Sequence, residues 1–297
     1  MRRIRDCEEL VFASDSRLSA DGRTFDAAPK ILTLSRNDCA IAFAGLTQDA
    51  FPMMLQLSLS ISSHRPALRR SIDLSELRTH ALKIFDEMAK LITSDIHVKG
   101  APPDAAPAPQ FLFGGYSWIK KEFELWTIVF NKSAGRFVSR EAEWAHFPRL
   151  KGLRISELCK ADRHLALGKI AFIGDQAATA KIALSREMTR RHLGGEKISK
   201  IEMEPFDTII GMLRDSNRSP SIGGAPQLAK VYQYMKNVSF PIYWPDKESG
   251  KVFLQGRPCI GYERLDQKIV DPDHHSWPTE REVVQTPEPG TSTEVDE

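Results

Sequence analysis

The residue types able to do chemistry gather near the start of the chain. Leu10 to Phe51 reads LVFASDSRLSADGRTFDAAPKILTLSRNDCAIAFAGLTQDAF. Its first apolar run stops at Asp15, a carboxylate set in Ser14-Asp15-Ser16-Arg17. Lys30 is a lone cation opening an alternating stretch, and the apolar run from Cys39 stops at Ala44-Gly45. An acid and an ammonium at two strand ends shift each other's protonation when they meet. The same pair also reads as a buried structural ion pair, and Gly45 as a turn glycine between strand and helix.

Other motif classes are absent from the sequence. There is no G-x-x-x-x-G-K-[ST] and no G-x-G-x-x-G, so a nucleotide-phosphate loop has no support. Gly114-Gly115-Tyr116-Ser117-Trp118 does not fit the G-x-S-x-G elbow. The four cysteines, Cys7, Cys39, Cys159 and Cys259, show no CxxC spacing, and no HExxH occurs. Neither a metal nor another cofactor is expected. Cys39 and Cys259 sit in apolar runs and read as buried thiols, which fits a reducing cytoplasm.

The composition bounds the rest. The chain has 297 residues, 41% hydrophobic and 27% charged, with a formal net charge of +2. Those are the proportions of a globular protein, and they give nucleic-acid or membrane partners no electrostatic support. The short basic cluster Arg65, Arg69, Arg70 reads as a solvated helix end. No apolar run approaches a membrane span, and no signal-peptide apolar region follows Met1 to Glu9.

The elements needed to hold Asp15, Lys30 and Gly45 follow from pattern. Strands are expected at Leu10–Ala13, Ile31–Leu34 and Cys39–Ala44, with a hairpin turn at Arg36-Asn37-Asp38. A helix over Asp49–Ser63 is expected to bury Phe51, Met54, Leu55, Leu59 and Ser62. A second, opened by an Asp73/Glu76 capping box, is expected to bury Leu77, Ala81, Ile84, Phe85, Met88, Leu91 and Ile92. Strands resume at Gln110–Gly114, Phe123–Phe130, Arg136–Ser139 and Lys169–Ile173. Helices follow after Gly174 and from Pro205, then strands at Gln227–Tyr232, Val252–Leu254 and Cys259–Tyr262. The order is strands, two helices, strands, two helices, strands. It suggests two mostly antiparallel sheets with a helix pair on each outer side. The Pro/Ala-rich stretch at 99–109 reads as an insertion. Residues 1–265 form the expected domain and 266–297 an acidic disordered tail.

This ordered set resembles the proteasome β-type subunits and other N-terminal-nucleophile hydrolases. The resemblance implies an α+β fold, a four-layer αββα sandwich. It places the family's acid, lysine and oxyanion glycine on Asp15, Lys30 and Gly45. Gly174-Asp175 matches a turn that usually carries serine. Arg214-Asp215, Ser221 and Gly223-Gly224 match a later Arg-Asp, serine and double-glycine motif. In that family the α-amine of residue 1 is the base for its own hydroxyl or thiol. Lys30 would supply the positive field, Asp15 would keep it charged, and the Gly45 N–H would face the oxyanion. Asp215 would orient the amine end. The bland readings are a helix N-cap for Asp175 and a solvent-facing helix end for Asp215.

The attacking atom is not among these residues. Counting back from Asp15 by the family's spacing runs past Met1, no Thr or Ser precedes Ser14, and Cys7 lies too close to Asp15 to head a full strand. Met1 to Asp6 is a poor buried strand. The expectation is a relative of threonine-type peptidases and amidohydrolases, inactive as given. The alternative is a non-catalytic subunit of a proteasome-like assembly. Self-association into a ring or dimer, a peptide or amide substrate and a cytoplasmic location complete the expectation.

Overall fold

The computed structural model describes residues 9–20, 23–91, 109–146, 166–195, 201–215, 217, 219–234 and 236–274. Cys7, Cys159, the expected turn at 21–22, most of the 99–109 insertion and residues 275–297 lie outside the described residues. Strand β1 (Glu9–Ser14) is followed by a short hairpin, β2 (Leu18–Ala20) and β3 (Arg23–Phe25), which the pattern did not reveal. β4 (Ile31–Thr33) and β5 (Cys39–Ala44) stand where alternation placed them. Their turn holds Asn37 at φ 64°, and the Arg36 guanidinium grips Asp38 with bonds of 2.6 and 2.7 Å.

The larger sheet runs β4-β5-β6-β7-β8, all antiparallel, adding β6 (Gln110–Ser117), β7 (Glu122–Asn131) and β8 (Arg136–Glu141). A smaller sheet runs β1-β11-β12, with β11 (Gln227–Tyr232) and β12 (Lys236–Phe240). Three minor sheets join β2 to β3, β9 (Glu143–His146) to β10 (Ala166–Ile170), and β13 (Ile242–Tyr243) through β14 (Val252–Leu254) to β15 (Arg257–Pro258). The fold is α+β with antiparallel sheets. The strand expected at Cys259–Tyr262 is not there. Arg257–Pro258 pairs with β14 instead, and Cys259 is only half-buried, because a turn at Gln255-Gly256 brings the chain back two residues earlier.

Helix α1 (Thr47–Ser63), the short α2 (Arg65–Leu68) and α3 (Leu74–Leu91) pack on the larger sheet. Leu57 and Ile61 of α1 and Leu77, Ala81 and Phe85 of α3 meet Ile41, Phe43, Phe111 and Phe113. The buried face of α1 differs from the expected one. Ala50, Met53, Met54, Leu57 and Ile61 point inward, while Leu55 and Leu59 are 54% and 60% exposed. An α1 rich in apolar residues all round offers two readings of its face, and packing chose the one carrying Met53 and Leu57. At the start of α3 the Glu76 carboxylate accepts the Asp73 N–H at 3.0 Å, the reciprocal half of the expected capping box. Asp73 itself accepts the Ser117 hydroxyl at 2.6 Å.

A second apolar cluster joins Leu10 and Phe12 of β1 and Ala229 and Val231 of β11 to Ile31, Ala40, Ala42 and Leu125 of the larger sheet. A third sets Phe206 and Ile210 of α5 (Glu204–Arg214) against Leu228, Val238 and Phe240. α4 (Ala177–Leu193) contributes Leu184 and Met188 to a fourth. Val270 is buried, bridges Ile242 and belongs to the third cluster, so the chain packs on the body at that point. No helix among the described residues is long and apolar enough to cross a membrane.

Candidate functional site

Asp15 and Lys30 meet because each is the residue at a strand end where two sheets face each other. β1 pairs with β11 from Glu9 opposite Tyr232 to Ser14 opposite Gln227, and Asp15 is the next residue. Lys30 comes just before β4, whose Ile31 lies in the apolar cluster shared with β1. The Lys30 ammonium donates to Asp15 Oδ1 at 2.7 Å, with the two side chains only 12% and 14% exposed. The other carboxylate oxygen accepts the Arg17 N–H at 3.1 Å and the Gly223 N–H at 3.2 Å. Three donors thus converge on one carboxylate.

Gln227 fixes this geometry, and the sequence reading missed it. Its Oε1 accepts the Lys30 backbone N–H at 2.9 Å. Its Nε2 donates to the carbonyls of Ala28 at 2.6 Å and Asp15 at 3.3 Å. The available signal was a lone amide heading the apolar run QLAKVY. The Arg17 guanidinium forks onto Asp26 at 2.6 and 2.7 Å and also donates to the Pro220 carbonyl. Gly223 and Gly224 permit the close approach of their loop. A Cβ on Gly223 would lie 2.2 Å from the Arg17 guanidinium carbon, and one on Gly224 would lie 2.4 Å from the Asp26 carbonyl oxygen.

The remaining expected residues join through this loop. Ser221 accompanies Gly223 in it, its hydroxyl 2.9 Å from that of Ser219. Ser221 also hydrogen-bonds the Asp175 carboxylate. Partial burial would raise the Asp175 pKa, but hydrogen bonds from Ser221, the Gln176 side chain and nearby backbone N–H groups outweigh it and bring it below the ordinary value. α4 begins at Ala177, so Asp175 falls before the capping position rather than on it. The Gly174 N–H donates to Gln110 Oε1 at 3.1 Å, and Gln110 stands opposite Ala44 in the sheet. A Cβ on Gly174 would be 3.2 Å from the Ala44 Cβ, so the 174–175 turn rests against the end of β5. Gly45, exposed there at φ 92°, is a backbone position that side chains rarely adopt.

Asp215 is placed differently. It ends α5 as an exposed residue, its N–H on the Gly211 carbonyl and its carboxylate accepting the Asn217 N–H at 2.8 Å. The structure therefore joins Asp15, Lys30, Ser221 and Asp175 by hydrogen bonds and one loop, with Gly45 beside Gly174. Asp215 opens the loop that leads to them. Among the described residues no hydroxyl or thiol is hydrogen-bonded to Lys30.

Comparison with solved structures identifies the class of fold. The helical assembly of the Anbu complex from Pseudomonas aeruginosa matches at 14% identity with a TM-score of 0.51, covering 81% of this chain and 85% of that one. Anbu, the ancestral beta-subunit, from Yersinia bercovieri matches at 13% identity and TM-score 0.49, covering 77% and 82%. Anbu from Hyphomicrobium sp. strain MC1 matches at 14% and 0.45, with the same coverage. No protein-family model matches the chain, and no curated protein matches it.

The chain shares its fold with the Anbu protein of the first of the three. The resemblance to proteasome β-type subunits is corrected by the same finding. The solved structure with which the fold is shared is an Anbu protein, of a distinct family. The reason is physical. Asp15, Lys30, Gly45 and the double glycine mark strand ends and tight turns of a shared backbone, and such positions do not separate one family on that backbone from another.

Proposed function

We propose that this chain is an Anbu-like, self-associating protein whose described residues form the electrostatic part of an amide-hydrolase site. The observation that carries the reading is the mostly buried Lys30–Asp15 pair, held by Gly223, Arg17 and Gln227. In this reading the body is a four-layer αββα sandwich, supported by apolar clusters on both faces of each major sheet. The domain runs on through Val270, which packs in the third cluster, and the acidic tail is the sequence after it. Two free thiols, Cys39 and Cys259, favour a reducing cytoplasm.

The chemistry assigns each group a role. The Lys30 charge favours the ionised state of a hydroxyl or thiol placed beside it, and Asp15 holds the ammonium in position through the 2.7 Å bond. The Gly45 N–H stabilises the oxyanion of the tetrahedral intermediate. Asp175 and Ser221 form a hydrogen-bonded relay on the other side, and Asp215 holds the loop between α5 and Ser221. Attack itself needs a Thr, Ser or Cys with a free α-amine presented next to Lys30. The described residues prepare the site without supplying that group.

Two preparations test the reading against fluorogenic peptides. The 297-residue chain is expected to give no turnover. The same chain preceded by a β-prone strand headed by an unblocked Thr is expected to give turnover that Lys30→Met abolishes. Hydrolysis by the 297-residue chain that survives Cys7→Ala would overturn the nucleophile requirement. Inactivity of the Thr-headed form would favour the second reading, a non-catalytic subunit of an assembly. The helical assembly formed by the Pseudomonas aeruginosa relative supports that alternative.

A further inference from the structure

Two parts of the candidate site rest on the C-terminal segment of the domain. That segment leaves β12 at Phe240 and closes on itself where Val270 bridges Ile242. Between these points, the turn at Gln255-Gly256 lies against the residue next to Asp15. A Cβ on Gly256 would stand 2.3 Å from the Ser16 Cβ and 3.2 Å from Gln227 Nε2. Just past Val270, the Asp273 carboxylate accepts both arms of the Arg214 guanidinium, at 2.5 and 3.1 Å. The same guanidinium donates to the Pro245 carbonyl at 2.7 Å, and its carbon lies 5.6 Å from the centre of the Trp244 ring. Arg214 is the last residue of α5, so the loop that carries Ser221 and Gly223 starts where the C-terminal segment is gripped.

We infer that Arg214 is a positioning residue of the site, and that Asp273, Pro245 and Trp244 make the C-terminal segment part of its scaffold. The inference rests on the reading of the Lys30–Asp15 pair as part of a hydrolase site. The loop after Arg214 carries the argument. Its far end is tied to the Asp15 turn in both directions. The Gly223 N–H donates to Asp15 Oδ2 at 3.2 Å, and the Gly223 carbonyl accepts the Ser16 N–H at 3.1 Å. Its middle meets Arg17 through the Pro220 carbonyl at 3.2 Å, and Asp175 through Ser221. At its near end Asp215 is exposed, and the grip on Arg214, one residue earlier, fixes where the loop leaves α5. A lone ion pair as open to water as this one, with side chains 37% and 38% exposed, contributes little. A fork with a carbonyl and a ring face as further partners is a different case, because it sets direction as well as distance. Lysine cannot reproduce that fork.

Amide hydrogen exchange on the full chain, followed residue by residue by NMR, tests this without needing turnover. Arg214→Gln and Asp273→Asn are each expected to speed exchange of the Gly223 and Ser16 amides at least about fivefold while the amides of β5 hold. The double substitution should add little to either single one, because both remove the same grip. Arg214→Lys keeps the charge without the fork and should leave most of the acceleration in place. Unchanged Gly223 and Ser16 amides, acceleration shared equally with β5, or full rescue by lysine would overturn the positioning role. In the Thr-headed form, Arg214→Gln should lower kcat about tenfold with KM held within about twofold. An unchanged kcat there would also overturn it. Inactivity of the unsubstituted Thr-headed form would remove the hydrolase reading, and the exchange result would still decide whether Arg214 positions the loop.

Discussion

The Lys30 ammonium sits 2.7 Å from Asp15 Oδ1, with both side chains nearly closed off from water. A charge buried to this degree depends on its partner, and removing one member strands the other. Asp15→Asn keeps the shape and removes the charge, and Lys30→Met does the converse. Each is expected to lower stability by about 2–4 kcal/mol. The double substitution should cost less than either single one, because neither charge is then left alone. Urea unfolding of the four proteins gives the coupling directly. Additive losses would mean that the two groups do not act as a pair.

The loop that touches Asp15 makes a second, purely steric prediction. Gly224 has φ 73°, and a Cβ there would meet Ser16 Oγ at 2.2 Å and the Asp26 carbonyl oxygen at 2.4 Å. Gly224→Ala should therefore destabilise by more than about 2 kcal/mol, combining backbone strain with displacement of a buried turn. Gly211, inside α5 with nothing within 4 Å of a built Cβ, is the control. Gly211→Ala should be neutral or stabilising by up to about 1 kcal/mol, the helix-propensity difference. Similar thermal shifts for the two variants would contradict the close approach at Gly224.

How far the sequence could be read depended on the range of each signal. β1, β5, β11 and α5 were legible because buried strands and a Pro-started helix announce themselves locally. The meeting of Asp15 and Lys30 was legible through the family-like order of strand ends. The inward face of α1 was not, because Leu55 and Leu59 are as apolar as Met53 and Leu57, and only the sheet beneath decides between them. Gln227 was invisible for a different reason. Its bonds to Lys30 and Ala28 span 197 and 199 residues of sequence, and nothing near Gln227 records them. Hairpins as short as β2–β3 and strands as short as β15 carry too few residues for a period to show.

Asp175 offers a titration test of the loop. Despite some burial, hydrogen bonds from Ser221, the Gln176 side chain and the backbone hold its pKa below the ordinary value. A depressed folded-state pKa contributes stability that is present above the unfolded value of about 3.9 and is lost as pH falls through the folded one. Ser221→Ala removes one donor, so the Asp175 carboxyl should titrate at higher pH, as followed by carboxyl-carbon NMR. Stability of this variant should then decline less steeply at the acid end than that of the native chain. An unmoved Asp175 titration would mean that Ser221 does not hold this carboxylate.

A second titration lies at the α1–α3 contact. His80 on α3 shares a hydrogen bond of 2.8 Å with the Ser60 hydroxyl of α1, and its ring lies 5.7 Å from that of His64. Burial is the main cause lowering its pKa, with His64 and Lys83 adding positive charge nearby. The folded-state pKa lies below the unfolded value of about 6.5, so the folded chain resists taking up the proton. Stability is therefore whole above that value and falls as pH drops through it, the sign expected of a histidine held neutral. Urea midpoints between pH 8 and pH 5 should decline for the native chain, and His80→Gln should flatten the decline while keeping a partner for Ser60. Lys83→Gln removes a repelling charge and should raise the His80 pKa without touching the Ser60 bond. A decline as steep in His80→Gln as in the native chain would place the acid sensitivity elsewhere.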